Sequence, residues 1–355
     1  MAPTKVLVTG VTGYIGGTVL NHLLNSTNPS TKNLELSVLT RNDTRADTFR
    51  SDSRIAQVHT FRDLDDSPAI SAAASQNDIV IHCTSGYHPG SMKSFIRGLA
   101  QRKAAKDGRE VYFIRTDGTS NLADKPISKT FTESRTFSDK DTDILTYLKN
   151  RNALDPYEQR TATIVAVETG LAEGVPTTVV MSPTIYGIGS GQFNRLTIQY
   201  PLQMRSALKE GKALYVGDGA GQWDYVHVED LAVLYELIVL DFASGRRKVP
   251  FGERGILFSE TGNFRWKEVA EGIARAGKAL GVLEEAEPKS VSLEDAAQKW
   301  VDGNTQLCEL AWASNSRTKA EVAYETLGWR PTKTREDWER AFQEELEEVL
   351  KNQKK

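Results

Sequence analysis

Short apolar runs alternate with amphipathic stretches over the first 120 residues. Lys5-Val6-Leu7-Val8-Thr9 is a short, continuously apolar run and predicts a strand. A glycine-rich turn follows, and helical periodicity then runs from Tyr14 to Asn25. Further strands are predicted at Leu34–Thr40, Ala56–Phe61, Asp78–Cys83 and Val111–Arg115, with a helix over Met92–Lys106. Short β-rich runs separated by helical segments indicate βαβ units and a parallel sheet covered on both faces. From Asp117 to about Asp155 the pattern lapses into a polar stretch around Asp139-Lys140-Asp141-Thr142-Asp143. A loop of that length inside a folded domain is usually functional or partly structured. A helix over Tyr157–Glu173 and a strand over Thr177–Met181 restore the alternation. Beyond Pro183 the elements are mixed, with helices expected at Leu196–Glu210, Leu231–Phe242, Trp266–Leu280 and Thr334–Leu350. The last carries Trp338, Phe342, Leu346 and Val349 at helical spacing, with acidic residues on its other face.

Composition narrows the classes. With 44 Lys+Arg against 47 Asp+Glu, the net charge is −3. That balance gives no general pull toward nucleic acid or anionic lipid. Two cysteines, Cys83 and Cys308, cannot build a disulfide framework or a cysteine zinc site, and they suit a reducing compartment. The first apolar run is too short for a signal peptide, and no run of 18 apolar residues spans a membrane. A soluble, cytoplasmic protein is expected. The five histidines are scattered and no H-E-x-x-H occurs, so no metal is expected.

The strongest local signal is Thr9-Gly10-Val11-Thr12-Gly13-Tyr14-Ile15-Gly16-Gly17, between the first strand and first helix. In a strand–turn–helix context the first glycine permits the tight turn and the second admits a pyrophosphate. The third packs helix on strand, and the anion sits at the helix N-terminus. Gly10, Thr12, Gly13, Tyr14, Ile15 and Gly16 are therefore candidate cofactor residues. The second strand ends at Arg41, with Arg45 a turn later. Arginine there accommodates the 2′-phosphate of NADP, so NADP is expected over NAD; Asp43 is the group that would favour NAD. Cys83, Thr84 and Ser85, at the tip of the fourth strand, should lie over the nucleotide.

These residues resemble the extended short-chain dehydrogenase/reductase superfamily, of the NAD(P)-dependent epimerase/dehydratase type. The likeness is nearest to its atypical, NmrA-like members common in fungi. Thr9 to Gly16 looks like its TGxxGxxG. Asp63 and Leu64 fall in a segment similar to the one that contacts adenine. Ser182-Pro183-Thr184-Ile185-Tyr186-Gly187 resembles the stretch that meets the nicotinamide, and the run from Gly217 to Ala232 is similar to a long signature of the substrate half. The resemblance implies an α/β fold: a Rossmann-type doubly wound parallel sheet with a smaller C-terminal substrate-binding domain. Residues 1–183 would bind NAD(P), with 224–242 and 256–260 returning to that domain, and 184–355 would mainly bind substrate. It also implies a monomer or a homodimer paired through the Met92–Lys106 and Tyr157–Glu173 helices.

The family's proton machinery is a Ser or Thr, a Tyr, and a Lys four residues after the Tyr. Here Tyr157 stands at the tyrosine position, but Thr161 replaces the lysine. At the serine position stands Asp117, flanked by Thr116 and Thr119. Tyr157, Asp117 and Thr119 are the candidate catalytic residues. A carboxylate beside a nicotinamide and an apolar pocket is suited to acid–base work; an aspartate before glycine also serves as a turn residue. Thr116 is assigned to the cofactor. Tyr87, His88, Tyr186, Phe193 and Trp223 are candidate substrate residues. Three functions fit. The first is an NADP(H)-dependent oxidoreductase acting on a carbonyl, alcohol or imine of a mid-sized organic metabolite, with secondary metabolism as a setting. The second is a cofactor-retaining, non-redox isomerase working through groups such as Asp117. The third is a nucleotide-sensing regulator without catalysis.

Overall fold

In the computed structural model, which describes residues 2–41, 44–105 and 110–353, alternate residues of each inner strand go to opposite faces of one sheet. Val6 and Val8 join one hydrophobic cluster and Leu7 another. The sheet has seven parallel strands. The first five are β1 (Thr4–Thr9), β2 (Leu34–Arg41), β3 (Gln57–Phe61), β4 (Ile79–His82) and β5 (Tyr112–Gly118); Thr177–Ser182 and Ile256–Phe258 complete it. Across the sheet the order is Ile256–Phe258, Thr177–Ser182, β5, β4, β1, β2, β3. This is the Rossmann-like α/β fold. The order reverses between β1 and β4, and a crevice opens there at the carboxyl ends of the strands.

Each face is closed by helices. On one side α1 (Tyr14–Asn25) packs against the Val228–Ala243 helix, and Val19, Leu23, Leu231 and Ile238 bury the Val6 and Val8 face. On the other side, Met92, Phe95 and Leu99 of the Pro89–Ala104 helix, with Ala166 of the Glu158–Glu173 helix, cover Leu7, Val80 and Phe113. These two helices lie side by side. A separate cluster, rich in aromatic residues, joins Tyr200, Trp223, Phe264, Trp266 and Trp338. No described helix is long and apolar enough to cross a membrane.

The polar stretch after Asp117 is ordered by distant partners. Asp124 accepts from the backbone and side chain of Asn315, and Phe137–Ser138 pairs with Thr318–Lys319. A helix covers Ile144–Leu154, capped by Asp143 accepting from Thr146 N. Its stabilising contacts are long-range, so local periodicity does not reveal them.

Three carboxylates, Asp139 and Asp224 buried and Glu260 half-buried, hold the chain's return. Asp139 accepts from the amides of Phe258 and Val322, Asp224 from Thr318, and Glu260 from Ala320. Burial pushes Asp139 up to about 6, Asp224 to about 7 and Glu260 to about 8. In the unfolded chain such groups titrate near 4. The folded state therefore binds more protons between about pH 4 and pH 8, and stability is lost as pH rises through that window. The melting temperature is expected to fall by several degrees from pH 5 to pH 8.5. Glu260→Gln, which keeps an acceptor for Ala320, should flatten that slope; an unchanged slope in calorimetry would contradict the assignment.

Candidate active site

The glycine turn closes onto the neighbouring strand. Gly10 has φ +67°, and a Cβ there would lie 2.2 Å from the carbonyl oxygen of Cys83. At Gly16 a Cβ would meet Gly10 O at 2.5 Å, while at Gly13 the same atom is 3.1 Å away. Two glycines are thus required by contact inside the turn. Gly13 stands at the N-terminus of α1 with no side-chain cap, which leaves an open cradle of backbone N–H groups suited to a pyrophosphate. The residues present fit a dinucleotide.

From this cradle a cleft of about 750 Å³ runs toward the C-terminal half. It is lined by Gly13, Tyr14, Ile15, Cys83, Thr84, Ser85 and Thr116, then by Pro183 and Ile185. The Cys83 thiol lies 3.1 Å from Thr116 Oγ1, which bonds Tyr235 OH in turn. Burial raises the thiol to about 12; it is a neutral wall, not a nucleophile. Tyr14 is tied across the cleft, its hydroxyl donating to Gly187 O at 2.7 Å. Thr12 contributes its carbonyl, which accepts from Asn194 N at 3.3 Å, and does not line the cleft. Thr184 is buried in a short strand paired with Tyr225, does not line the cleft, and its hydroxyl has no partner among the described residues.

Arg41 ends β2 with its side chain exposed. Asp63 and Leu64 follow β3, outside the cleft lining. The Asp63 carboxylate is held below its usual range by the Arg62 side chain 2.9 Å away. Asp43, the group that would favour NAD, lies outside the described residues.

At the far end of β5 three hydroxyls converge. Tyr157 OH is 3.0 Å from Tyr87 OH, 3.1 Å from Gln159 Oε1 and 3.4 Å from Ser120 Oγ. Ser120 also donates to Gln159 Oε1 at 2.8 Å. Tyr157, Ser120, Gln159 and Tyr87 all line the cleft. Burial raises the Tyr157 phenol above its usual range, opposed by the Ser120 and Tyr87 hydrogen bonds. Thr161, at the position of the family's lysine, accepts from Asn152 Nδ2 at 3.1 Å and brings no charge. A cation reaches the phenol ring instead from the preceding residue. Arg160 is fully buried, with its guanidinium carbon 5.6 Å from the Tyr157 ring centroid and its nitrogens donating to Asn121 O and Asp155 O. Helical geometry directs its Cα away from the Thr161 position, but its long side chain folds under the ring.

Several expectations are corrected. Thr119 is fully buried, does not line the cleft and has no partner for its hydroxyl among the described residues. The chain enters a short 3₁₀ turn, Thr119–Asn121, where successive side chains are about 120° apart. That rotation turns Thr119 inward and presents Ser120. Asp117 does line the cleft, but its carboxylate is committed. It accepts from Gly118 N at 2.9 Å and Asn121 Nδ2 at 3.0 Å, bonds Thr163 Oγ1, and pairs with Arg115 at 3.4 Å.

His88 is not in the cleft either. Its Nδ1 accepts from Ser91 N at 3.0 Å, capping the Pro89–Ala104 helix, and Nε2 faces Asp65 at 3.2 Å. Tyr186 is turned to the opposite side of its short strand from Ile185; its ring packs edge-on against Tyr225 and His227. Phe193 packs on Phe49, centroids 5.6 Å apart. Its loop is pinned to α1, because Gly191 sits so near Gly17 that a Cβ would be 2.9 Å from Gly17 Cα. Trp223 does line the cleft, with its indole N–H donating to Ser314 Oγ at 2.9 Å.

Ser120 and Gln159 carry no sequence signal beyond their neighbourhood. Trp300 and Trp312 also wall the cleft, from helices Leu293–Trp300 and Thr305–Trp312. For Trp300 a signal existed: Leu293, Ala296, Ala297 and Trp300 are spaced as one apolar helix face.

The sequence pattern of the NAD dependent epimerase/dehydratase family matches residues 6–102 and 130–250. The chain belongs to this family. Oxidase ucsJ of Acremonium sp. is 28% identical over 342 residues, covering 92% of each chain. An uncharacterized protein of Saccharomyces cerevisiae is 25% identical over 332 residues, covering 92% of this chain and 94% of its own. Among solved structures, the dTDP-glucose 4,6-dehydratase of Bacillus anthracis in complex with NAD superposes with a TM-score of 0.65 at 14% identity, covering 99% and 98% of the two chains. The UDP-glucuronic acid 4-epimerase of Bacillus cereus, in complex with UDP-glucuronic acid and NAD, gives 0.64 at 13%, covering 98% and 100%. At those identities the structures show a shared fold, which agrees with the family match, and family members act on small molecules.

Proposed function

We propose that this family member is an NADP(H)-dependent oxidoreductase that interconverts a carbonyl or imine with its reduced form in a mid-sized organic metabolite. The observation that carries this is the Tyr157–Ser120–Gln159 cluster, set in one cleft with the glycine cradle. In this reading residues 1–183, with 224–242 and 256–260, hold the cofactor, and the rest of 184–355 shapes the substrate end. Backbone from Gly10 to Gly16 would receive the pyrophosphate, Arg41 the 2′-phosphate, and Cys83 to Ser85, Thr116 and Pro183 to Ile185 the nicotinamide side. When bound, the nicotinamide supplies or accepts the hydride.

The side chains handle the proton. Tyr157 stays protonated at neutral pH because burial disfavours the phenolate. It is therefore an acid, suited to donating to a carbonyl oxygen as negative charge develops, and reduction is the favoured direction. Ser120 polarises the same oxygen. Gln159 accepts both hydroxyl protons and so holds the pair in register until substrate arrives. The name of the Acremonium relative agrees with a redox class. The non-redox alternative relied on Asp117, whose oxygens already accept four donors.

NADPH should be consumed with an aryl aldehyde and ketone panel; turnover without net cofactor consumption would overturn the redox reading. Arg41→Ala should weaken NADPH binding about tenfold, the loss of one charge-assisted contact, and leave NADH unchanged. Equal effects on both cofactors in calorimetric titration would remove the NADP assignment.

A further inference from the structure

The substrate end of the cleft is built from apolar surface. Leu202, Trp223, Trp300, Leu307 and Trp312 line it, with Trp300 and Trp312 in contact at 5.9 Å between centroids. Most polar atoms of this wall are spent inside the protein, while the Trp300 indole N–H is buried with no partner among the described residues. Gln199 Nε2 donates to Ala311 O at 2.7 Å, the Trp312 indole N–H donates to Gln199 O at 3.4 Å, and that of Trp223 to Ser314. Among the described residues, no lysine, arginine or histidine lines the cleft, and its one charged group is Asp117, already paired with Arg115. At the rim Ile198 is 74% exposed and Tyr87 43%, large apolar groups that a bound molecule would cover.

The charge pattern decides between substrate classes. The two solved relatives are named for sugar nucleotides, whose diphosphate carries two negative charges. Taking such a group out of water without cationic partners costs several kcal/mol. The anion site this cleft does offer, the N-terminus of α1, belongs to the cofactor. A neutral ring system, by contrast, loses little on entering and gains from indole contact.

The geometry points to an uncharged substrate with an aromatic or polycyclic apolar body, seated between Trp223, Trp300 and Trp312, its reacting oxygen or nitrogen at Tyr157. This rests on the assignment of Tyr157 and Ser120 as the reacting end. It excludes sugar nucleotides as substrates.

The test is calorimetric titration of the full chain saturated with oxidised cofactor, so that a ketone binds without turning over. 2-Acetylnaphthalene is the neutral probe, and UDP-glucose and dTDP-glucose are the charged ones. The naphthyl ketone should bind at least about a hundredfold more tightly than either sugar nucleotide. Trp312→Ala should weaken it at least about tenfold through lost contact area. Ile198→Glu, on an exposed rim position that does not threaten folding, should weaken it about fivefold. Tighter binding of a sugar nucleotide, no binding of the ketone, or an unchanged ketone affinity in Ile198→Glu would overturn the assignment. Binding is read without hydride transfer, so the outcome is separate from the redox reading: a chain that binds the ketone but never reduces it would refute only the latter.

Discussion

Tyr157→Phe is expected to lower kcat for carbonyl reduction by about 10²–10³, the range of a lost general acid. In the proposed mechanism the phenol, placed in the cleft with Ser120 and Gln159, is the proton donor. Folding should be little affected: the ring keeps its edge-on contact with Tyr87, 6.0 Å between centroids, and Ser120 keeps its bond to Gln159. Cofactor affinity should be unchanged. Wild-type reduction should also be flat in pH up to about 9. The active form is the protonated phenol, and burial moves its deprotonation above the ordinary tyrosine value of about 10. A family member with the lysine in place would show that alkaline fall earlier. Steady-state kinetics with saturating NADPH check both points. Full activity in Tyr157→Phe, or a fall centred below pH 9 that this variant abolishes, would contradict the assigned acid. Thr119→Ala is the matching control and should keep its proton chemistry, since that hydroxyl does not reach the cleft.

Gly10→Ala should remove cofactor binding and destabilise the fold together. The residue sits at φ +67°, where a Cβ costs about 1–2 kcal/mol. The added methyl would also overlap the Cys83 carbonyl at 2.2 Å, and that carbonyl is backbone, which cannot swing aside. Relief requires the ends of β1 and β4 to separate at the point where the crevice opens. We expect a melting temperature lower by about 4 °C, as about 3 kcal/mol would produce in a chain of this size, and a dissociation constant for NADPH raised by more than about 100-fold. Gly13→Ala separates the two effects. Its Cβ meets Gly10 O at 3.1 Å without a left-handed backbone, so the chain should fold nearly normally and lose mainly phosphate contact. Thermal melts paired with titration decide the matter; Gly10→Ala with wild-type affinity would show that the cradle is not the cofactor site.

Much of this was legible in the sequence, for a physical reason. Continuous apolar runs such as Val6–Val8 and Ile79–Ile81 have no exposed face, so they can only be inner strands of a covered sheet. The glycine spacing is legible because the turn has room for backbone and nothing else. The sequence also showed that Thr161 brings no lysine to the site. The α1 bounds, Tyr14–Asn25, match the expected ones because apolar periodicity begins and ends there.

What only the tertiary structure decided is which side chains point where. A single 3₁₀ turn exchanges Thr119 for Ser120; one residue of strand alternation sends Ile185 to the cleft and Tyr186 to the core. His88, Phe193 and Asp117 looked free in the sequence and are each taken by a partner. Asp117 is taken by Arg115, Asn121 and Thr163, the last 46 residues away in the chain. The walls from Trp300 and Trp312 lie far along the chain from Tyr157 and meet it only in the folded state. Sequence by itself determined the sheet, the cradle and the missing lysine, because those depend on local periodicity and residue type. The hydroxyl cluster and the absence of cationic side chains from the cleft lining, among the described residues, depend on side-chain direction and long-range contact, which no local pattern encodes.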